Sequence, residues 1–369
     1  MSWSIPSVPE KEWPEPLNRT AWFGALIAIH TIVFAALYYL AQNQKPVQLI
    51  FYGVGISFGA WLPLFSFFLI QYESKINDKI NWDIETERTD HEWHVWAKNH
   101  IPILANVIYT PEENPSDVFF RETKDVPVFP KIPRPLHLQY SSWSDVFEAL
   151  NRDLMAQCSN YRYSLSSIII ITKNESMDIE QAVFDTWQLV PEFHENLSAV
   201  NEFYDSAQQG LTLIIALQLW LDAENIEFSE FMSSQLICTQ DYSKKNKLPV
   251  QARIERMMPL DNADLNEELS MWHKYSKAKE VKQVWLPYDD ASLRADIIQL
   301  ANLGAWGISD DFPVVSIEQI YGPSSDLSFL ISVGIVIDRV FQAGHHQLIV
   351  SQFSDNGCVC FITPEVKYG

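Results

Sequence analysis

Four cysteines, nine histidines and several adjacent carboxylates are the side chains with which this chain of 369 residues could do chemistry. A cysteine becomes a nucleophile when a neighbouring base or a helix N-terminus holds it as thiolate. Cys238, Cys358 and Cys360 fall in predicted strands, and Cys158 falls at the end of a predicted helix, where the dipole has the wrong sign for a thiolate. A zinc site needs two Cys-x-x-Cys or Cys/His pairs at ligand spacing, and the sequence has none. Cys358 and Cys360 share a strand face with parallel side chains that do not readily bridge, so all four read as reduced core thiols, suited to a reducing compartment. His91 and His94 at i,i+3 lack a further ligand pair and read as surface or capping residues, and His345-His346 follow a predicted helix C-terminus, which favours imidazolium without catalysis. Asp289-Asp290 and Asp310-Asp311 read as helix caps and turns. Walker, dinucleotide, nucleophile-elbow and His-Glu-x-x-His patterns are all missing, and 12 glycines are few for a phosphate cradle. No metal and no cofactor is expected.

The elements that must position these groups alternate. Ile101 to Ile108, Ser167 to Thr172, Leu211 to Leu221, Ser234 to Thr239, Val250 to Met258, Val284 to Leu286 and Val314 to Gln319 read as strands. Helices are predicted for Asp145 to Cys158, started by Ser142-x-x-Asp145, for Ile179 to Gln208 with Pro191 interrupting, and for Leu265 to Lys277 and Ala291 to Leu303. Pro111 to Pro135 is an extended proline-rich loop, and Lys244-Lys245-Lys247 a solvated turn. A closing helix, Leu327 to Phe341, stops at Gly344. A hairpin follows, Gln347 to Phe353 and Cys358 to Thr363 around Ser354-Asp355-Asn356-Gly357. The last strand is apolar on both faces and belongs inside a sheet covered on both sides. The fold class is α/β, a mixed sheet covered by helices.

Residues 1–80 form a separate region: a polar tail, then Ala21 to Ala41 and Val47 to Ile70, two apolar runs without a formal charge. Each is about 20 residues, enough to cross ~30 Å of hydrocarbon as a transmembrane hairpin. Lys11, Arg19, Lys75 and Lys79 flank the spans while Lys45 alone sits in the link, so the positive-inside bias puts both ends in the cytoplasm. His30 inside the first span reads as a helix-contact residue. The soluble remainder, 81–369, is expected as two halves, about 91–240 and 250–369.

The formal net charge is −21, and the first 80 residues contribute nothing to it. Such a field repels nucleic acid and anionic headgroups and suits a basic protein partner. Irregular loops at strand ends host binding, which places the partner surface at Glu224, Glu227 and Glu230 and at the rim Gly322, Ser324, Ser325 and Asp326.

Leu211 to Thr239 resembles the central strand, excursion and following strand in the first half of a thiolase-like (ketoacyl synthase) fold, and Tyr321 to Pro364 resembles that fold's closing helix and strands. Active members of that family carry a Cys at the start of a buried helix in the first half and a His in each of two motifs in the second. At the matching places this chain has Asn174-Glu175-Ser176-Met177, Gly322-Pro323-Ser324-Ser325-Asp326 and Ser354-Asp355-Asn356-Gly357, so the resemblance implies a catalytically inactive scaffold. Trp93-x-x-Trp96, Thr110-Pro111-Glu112 and Ser351-Gln352-Phe353 are similar to the bacterial type VI secretion lipase adapter family, whose thiolase-like body recruits a toxic effector to the secretion spike. That resemblance implies a protein partner, a secreted effector or spike protein, met at the bacterial inner membrane with the soluble domain cytoplasmic. An immunity protein that blocks a toxin in the membrane, and an enzyme modifying lipid or acyl chains through Cys158 or a carboxylate pair, are the alternatives.

Overall fold

The computed structural model describes residues 3, 5, 8–40, 46–120, 128–129, 131–173, 175–195, 198–221, 226–260, 265–276, 281–304, 306, 308, 314–323, 325, 327–352 and 357–365. The chain divides into two units, Ile5–Glu92 and Met1–Ser4 with Trp93–Gly369.

In the first unit, α1 (Arg19–Leu40) and the start of α2 (Pro46–Ala97) are long and apolar enough to cross a membrane. They run antiparallel. The Trp22 ring lies 5.5 Å from Phe65 and 4.9 Å from Phe68, and the Trp61 indole N–H donates to the Trp22 carbonyl at 3.1 Å. Further along, the Phe34 ring sits on Gly53, where a Cβ would come within 2.7 Å of it. His30 packs edge-on to Phe58 at 5.9 Å, a helix-contact residue as its isolation in the span suggests. α2 does not stop where its apolar stretch ends; the polar residues after Ile70 continue the same helix to Ala97.

The second unit is built on an 11-stranded sheet. Its first half comprises β1 (His100–Tyr109), α3 (Trp143–Gln157), α4 (Tyr161–Ser164), β2 (Leu165–Ile171), α5 (Met177–Trp187), β3 (Glu192–His194), α6 (Ser198–Phe203), β4 (Leu211–Gln218) and β5 (Phe231–Cys238). After α7 (Gln240–Asn246), the second half comprises β6 (Ala252–Glu255), β7 (Met258–Pro259), α8 (Leu265–Ser276), β8 (Gln283–Leu286), α9 (Ala291–Gly304), β9 (Val314–Ser316), α10 (Glu318–Tyr321), α11 (Ser328–Ala343), β10 (Gln347–Ser351) and β11 (Cys358–Pro364). The strand order is β3-β2-β4-β5-β1-β6-β11-β10-β8-β9, with β7 beside β11. Setting β7 aside, each half reads third, second, fourth, fifth, first strand from its outer edge inward. Directions repeat too: the fifth strand of each half, β5 and β11, runs antiparallel to both its neighbours, and the outer pairs are parallel. The two first strands, β1 and β6, join the halves antiparallel, from His100 opposite Glu255 to Ile103 opposite Ala252.

Alternation along the strands fills a core on each face. Ile169 and Ile171 of β2 share one cluster with α11 and strands of both halves, while Ile168 and Ile170 face α3 and α5. β11 behaves as its two-faced pattern predicts: Cys360 and Ile362 join the α11 cluster, and Phe361 points the other way onto Trp272 of α8 at 5.5 Å. α3 buries Trp143, Val146, Phe147, Leu150 and Leu154, a stripe at helical spacing, and its Ser142 cap accepts from the Asp145 N–H at 3.3 Å. α11 ends at Gly344, whose φ of 67° lets its N–H reach the Val340 carbonyl at 2.9 Å.

Three expectations are corrected. Ile179 to Gln208 is two short helices separated by edge strand β3, because Pro191 ends the helical pattern. Lys244-Lys245-Lys247 is not a turn but the last turn and C-cap of α7, started by Thr239 accepting from the Tyr242 N–H. Val250 to Met258 is β6 and the separate β7. The hairpin turn 353–356 and most of the link Gln42 to Pro46 lie outside the described residues.

Candidate protein-interaction site

Where β4 ends at Gln218, the chain runs through Leu219-Trp220-Leu221 and returns as β5 from Phe231. The proline-rich segment lies against this return. In Ile132-Pro133-Arg134-Pro135-Leu136 the prolines have no N–H, so only Arg134 and Leu136 need acceptors after Ile132. Both find them on side chains just ahead of β5: Arg134 N–H donates to Ser229 Oγ at 3.0 Å and Leu136 N–H to Glu230 Oε2 at 2.9 Å. The other Glu230 oxygen accepts from the Trp220 N–H at 2.6 Å. One buried carboxylate thus ties the two sides of the return after β4 to a segment 94 residues away in sequence.

Beneath this lies the approach to α11. Gly322 has φ +85°, and a Cβ there would run into the Ile132 carbonyl and come within 2.8 Å of Ser229 Oγ, so glycine is required twice over. The Ser229 N–H donates to the Pro323 carbonyl at 2.7 Å. Gln218 donates from Nε2 to the Ser229 carbonyl at 2.6 Å and accepts at Oε1 from Ser325 Oγ, and the Tyr288 hydroxyl donates to the Ser325 carbonyl at 2.8 Å. Arg134 pairs with Glu112 at 2.7 Å and stacks 4.4 Å from the Phe129 ring. The ends of β4 and β8 and the start of α11 therefore meet in a closed polar knot.

On the outer side the same residues leave a cleft of about 180 Å³, walled by Leu136, Tyr140, Leu219, Trp220 and Leu221. The Trp220 indole N–H donates to the Phe228 carbonyl at 2.8 Å, fixing that wall. Leu138, which lines it, is 55% exposed, and Phe228 is 37% exposed.

The structure brings the two loops singled out by sequence into one region, but it divides their residues. Glu227 is exposed. Glu230, Gly322 and Ser325 are buried parts of the framework, with their polar groups and close approaches used inside the fold. Glu224, Ser324 and Asp326 lie outside the described residues. Sequence reasoning missed Trp220 and the Leu136 to Tyr140 wall. The signal was present in the alternating Pro-x-Pro, which leaves isolated N–H groups that some distant acceptor must serve.

The groups weighed for chemistry are quiet. All four cysteines are free thiols. Burial pushes Cys238 and Cys358 up to about 12 and raises Cys158 and Cys360. Asp290 caps α9 by accepting from the Ser292 hydroxyl at 2.7 Å and from the Ser292 and Leu293 N–H groups at 2.8 and 3.1 Å, and those hydrogen bonds, the hydroxyl's first, hold its carboxyl below the usual range. Asp289 pairs with Arg294 at 2.7 Å. His94 packs on Tyr275 at 4.8 Å and His346 on Phe361 at 5.6 Å. Among the described residues no group of three His, Cys, Asp or Glu side chains is placed to hold a metal. Asp310-Asp311 lies outside them.

The helix opened by Ser176-Met177 is α5, which packs with α3 on the outer face. The element that matches α11 in order, between third and fourth strands, is instead α6, with 6 residues against 16.

No protein-family model and no curated protein matches the sequence. Solved structures do match. A chain of a type II PKS assembly, an acyl-carrier protein in complex with its ketosynthase bound to the hexaketide, superposes with TM-score 0.54 at 10% identity over 72% of this chain and 99% of that one. A cerulenin-bound variant of OleA from Xanthomonas campestris gives 0.51 at 9% identity over 74% and 98%. At such identities the likeness is one of fold. The second unit has a thiolase-like α/β fold, preceded by two apolar helices that pack as a hairpin.

Proposed function

We propose that this protein is a membrane-tethered, thiolase-like adapter that holds a protein partner and performs no acyl transfer of its own. The observation that carries this reading is the reduction of α6 to 6 residues where its counterpart α11 has 16, with no cysteine in the 16-residue stretch Glu195 to Gly210 that contains it. A Cys nucleophile needs a helix N-terminus or a base, and all four thiols are instead pushed up by burial. The closed knot of Gln218, Ser325 and Tyr288 supports the same reading, since its polar groups serve each other. The partner class that fits the resemblance to type VI lipase adapters is a secreted effector or spike protein, met on the cytoplasmic side of the bacterial inner membrane. The strongly acidic second unit favours a basic partner surface.

The test is a pull-down of the detergent-extracted full chain from its native cell, followed by deletion. An adapter co-purifies with a toxin or secretion component, and its loss stops export. Killing of the deletion strain by its own toxin would point to an immunity protein. Recovery with acyl carrier or lipid and no protein would overturn the adapter reading in favour of an enzyme.

A further inference from the structure

The cleft beside Trp220 has the size, walls and surroundings of an anchor pocket. Its volume of about 180 Å³ is on the scale of one large apolar side chain. Its walls are held before any partner arrives. Trp220 is fixed at both nitrogens, by Glu230 and by the Phe228 carbonyl, and Leu136 is fixed by Glu230 within a proline-stiffened segment. Pre-ordered walls remove part of the entropy that docking otherwise costs.

Charge and exposure supply the rest. Leu138, which lines the cleft, and Phe228, whose carbonyl holds the Trp220 indole, are large apolar side chains left exposed, the pattern that an interface covers. Among the described residues none that lines the cleft is basic, Arg134 is committed to Glu112, and exposed Glu227 adjoins Phe228, whose carbonyl holds Trp220. An apolar anchor beside an exposed carboxylate complements an apolar residue flanked by cations.

We infer that this cleft receives one bulky apolar side chain, of Leu or Phe size, from a basic stretch of the protein partner; the inference rests on the adapter reading. The anchor fills the space beside Trp220, and the flanking cations meet Glu227. The probes are short fluorescent peptides, with Phe between lysines and arginines, with Ala in place of Phe, and with Phe between glutamates. They are titrated against the full chain in detergent by polarisation. The basic Phe peptide binds saturably; replacing Phe by Ala weakens it about tenfold, ~1.4 kcal/mol, and the glutamate peptide does not bind. Trp220→Ala and Glu227→Lys each weaken the basic Phe peptide by a similar factor. Glu148→Lys, on the exposed side of α3, leaves it unchanged.

Equal binding of the Phe and Ala peptides, an equal loss with Glu148→Lys, or no saturable binding overturns the inference. Should Trp220→Ala lose its thermal transition, Leu138→Asp at the exposed mouth takes its place. Equal recovery of the native partner on Glu227→Lys and Leu138→Asp chains also overturns the cleft and leaves the adapter reading standing. A wild-type chain that discriminates the peptides yet recovers no protein from its cell keeps the cleft and overturns the adapter.

Discussion

The two halves of the sheet share strand order and direction but differ in what fills the connection between third and fourth strands. In the second half it is α11, buried along Ser328 to Ile337 and touching strands of both halves. In the first it is α6, which contributes Val200 and Phe203 to the same core. One topology therefore tolerates a long and a short version of the same element, because the single long helix serves both halves of the sheet. α11 is bound to the first half by polar contacts as well. Asn106 of β1 donates from Nδ2 to the Gly334 carbonyl at 2.9 Å and to Asp338 at 2.6 Å, and Ser233 of β5 donates to the Leu330 carbonyl at 3.0 Å. Gly334 permits this approach, since a Cβ there would come within 2.5 Å of Ser233 Oγ.

The largest expected effect breaks that asymmetry. Ile335→Ala, at a fully buried site on α11, should cost about 2–5 kcal/mol, and Val200→Ala on α6 about 2 kcal/mol, both read from urea unfolding. Equal losses would mean that α11 is no more central than α6.

A smaller effect sharpens the seam between the halves. Glu255, at the end of β6, is half-buried and its carboxyl is pushed up to about 8 by desolvation, against the pull of Lys98 and Arg253; opposite it, burial takes His100 down to about 4. An acid with a raised pKa binds its proton more tightly folded than unfolded, so stability falls as pH rises from the ordinary carboxyl range to about 8. His100 acts with the opposite sign but only below about 6.5, where the unfolded imidazole protonates. Between pH 6.5 and 8 the melting temperature should therefore fall, and Glu255→Gln should flatten that slope. A slope unchanged by the substitution would remove Glu255 as its source.

The smallest effect concerns the thiols. Cys158 is only partly buried and its pKa is raised by desolvation, so Cys158→Ala should leave partner recovery unaltered and shift stability by less than about 1 kcal/mol. Loss of a measurable acyl-transfer activity on this substitution would instead assign the first half a catalytic thiol.

Much of this was legible from local signals. The two apolar spans, the Ser142 cap, the Gly344 stop and the two-faced last strand each depend on residues near one another in sequence. β3 was not legible, because Glu192-Phe193-His194 is a three-residue edge strand, half exposed and wedged between helical patterns. Irregular loops at strand ends pointed to the region in which the Trp220 cleft lies. Its details were hidden because Glu230 reads as one more surface acid until Leu136 and Trp220 are placed beside it, and that contact joins segments whose sequences say nothing of each other.

The seam also dictates an order of assembly. β1 is made early, yet both strands that pair with it come much later: Ile103 lies opposite Ile237 on one side and Ala252 on the other. Until β5 has been synthesised, the apolar segment Ile101 to Ile108 has neither edge satisfied. Pairings this distant close slowly, so a nascent or truncated chain ending before Phe231 carries an open, aggregation-prone strand directly after α2.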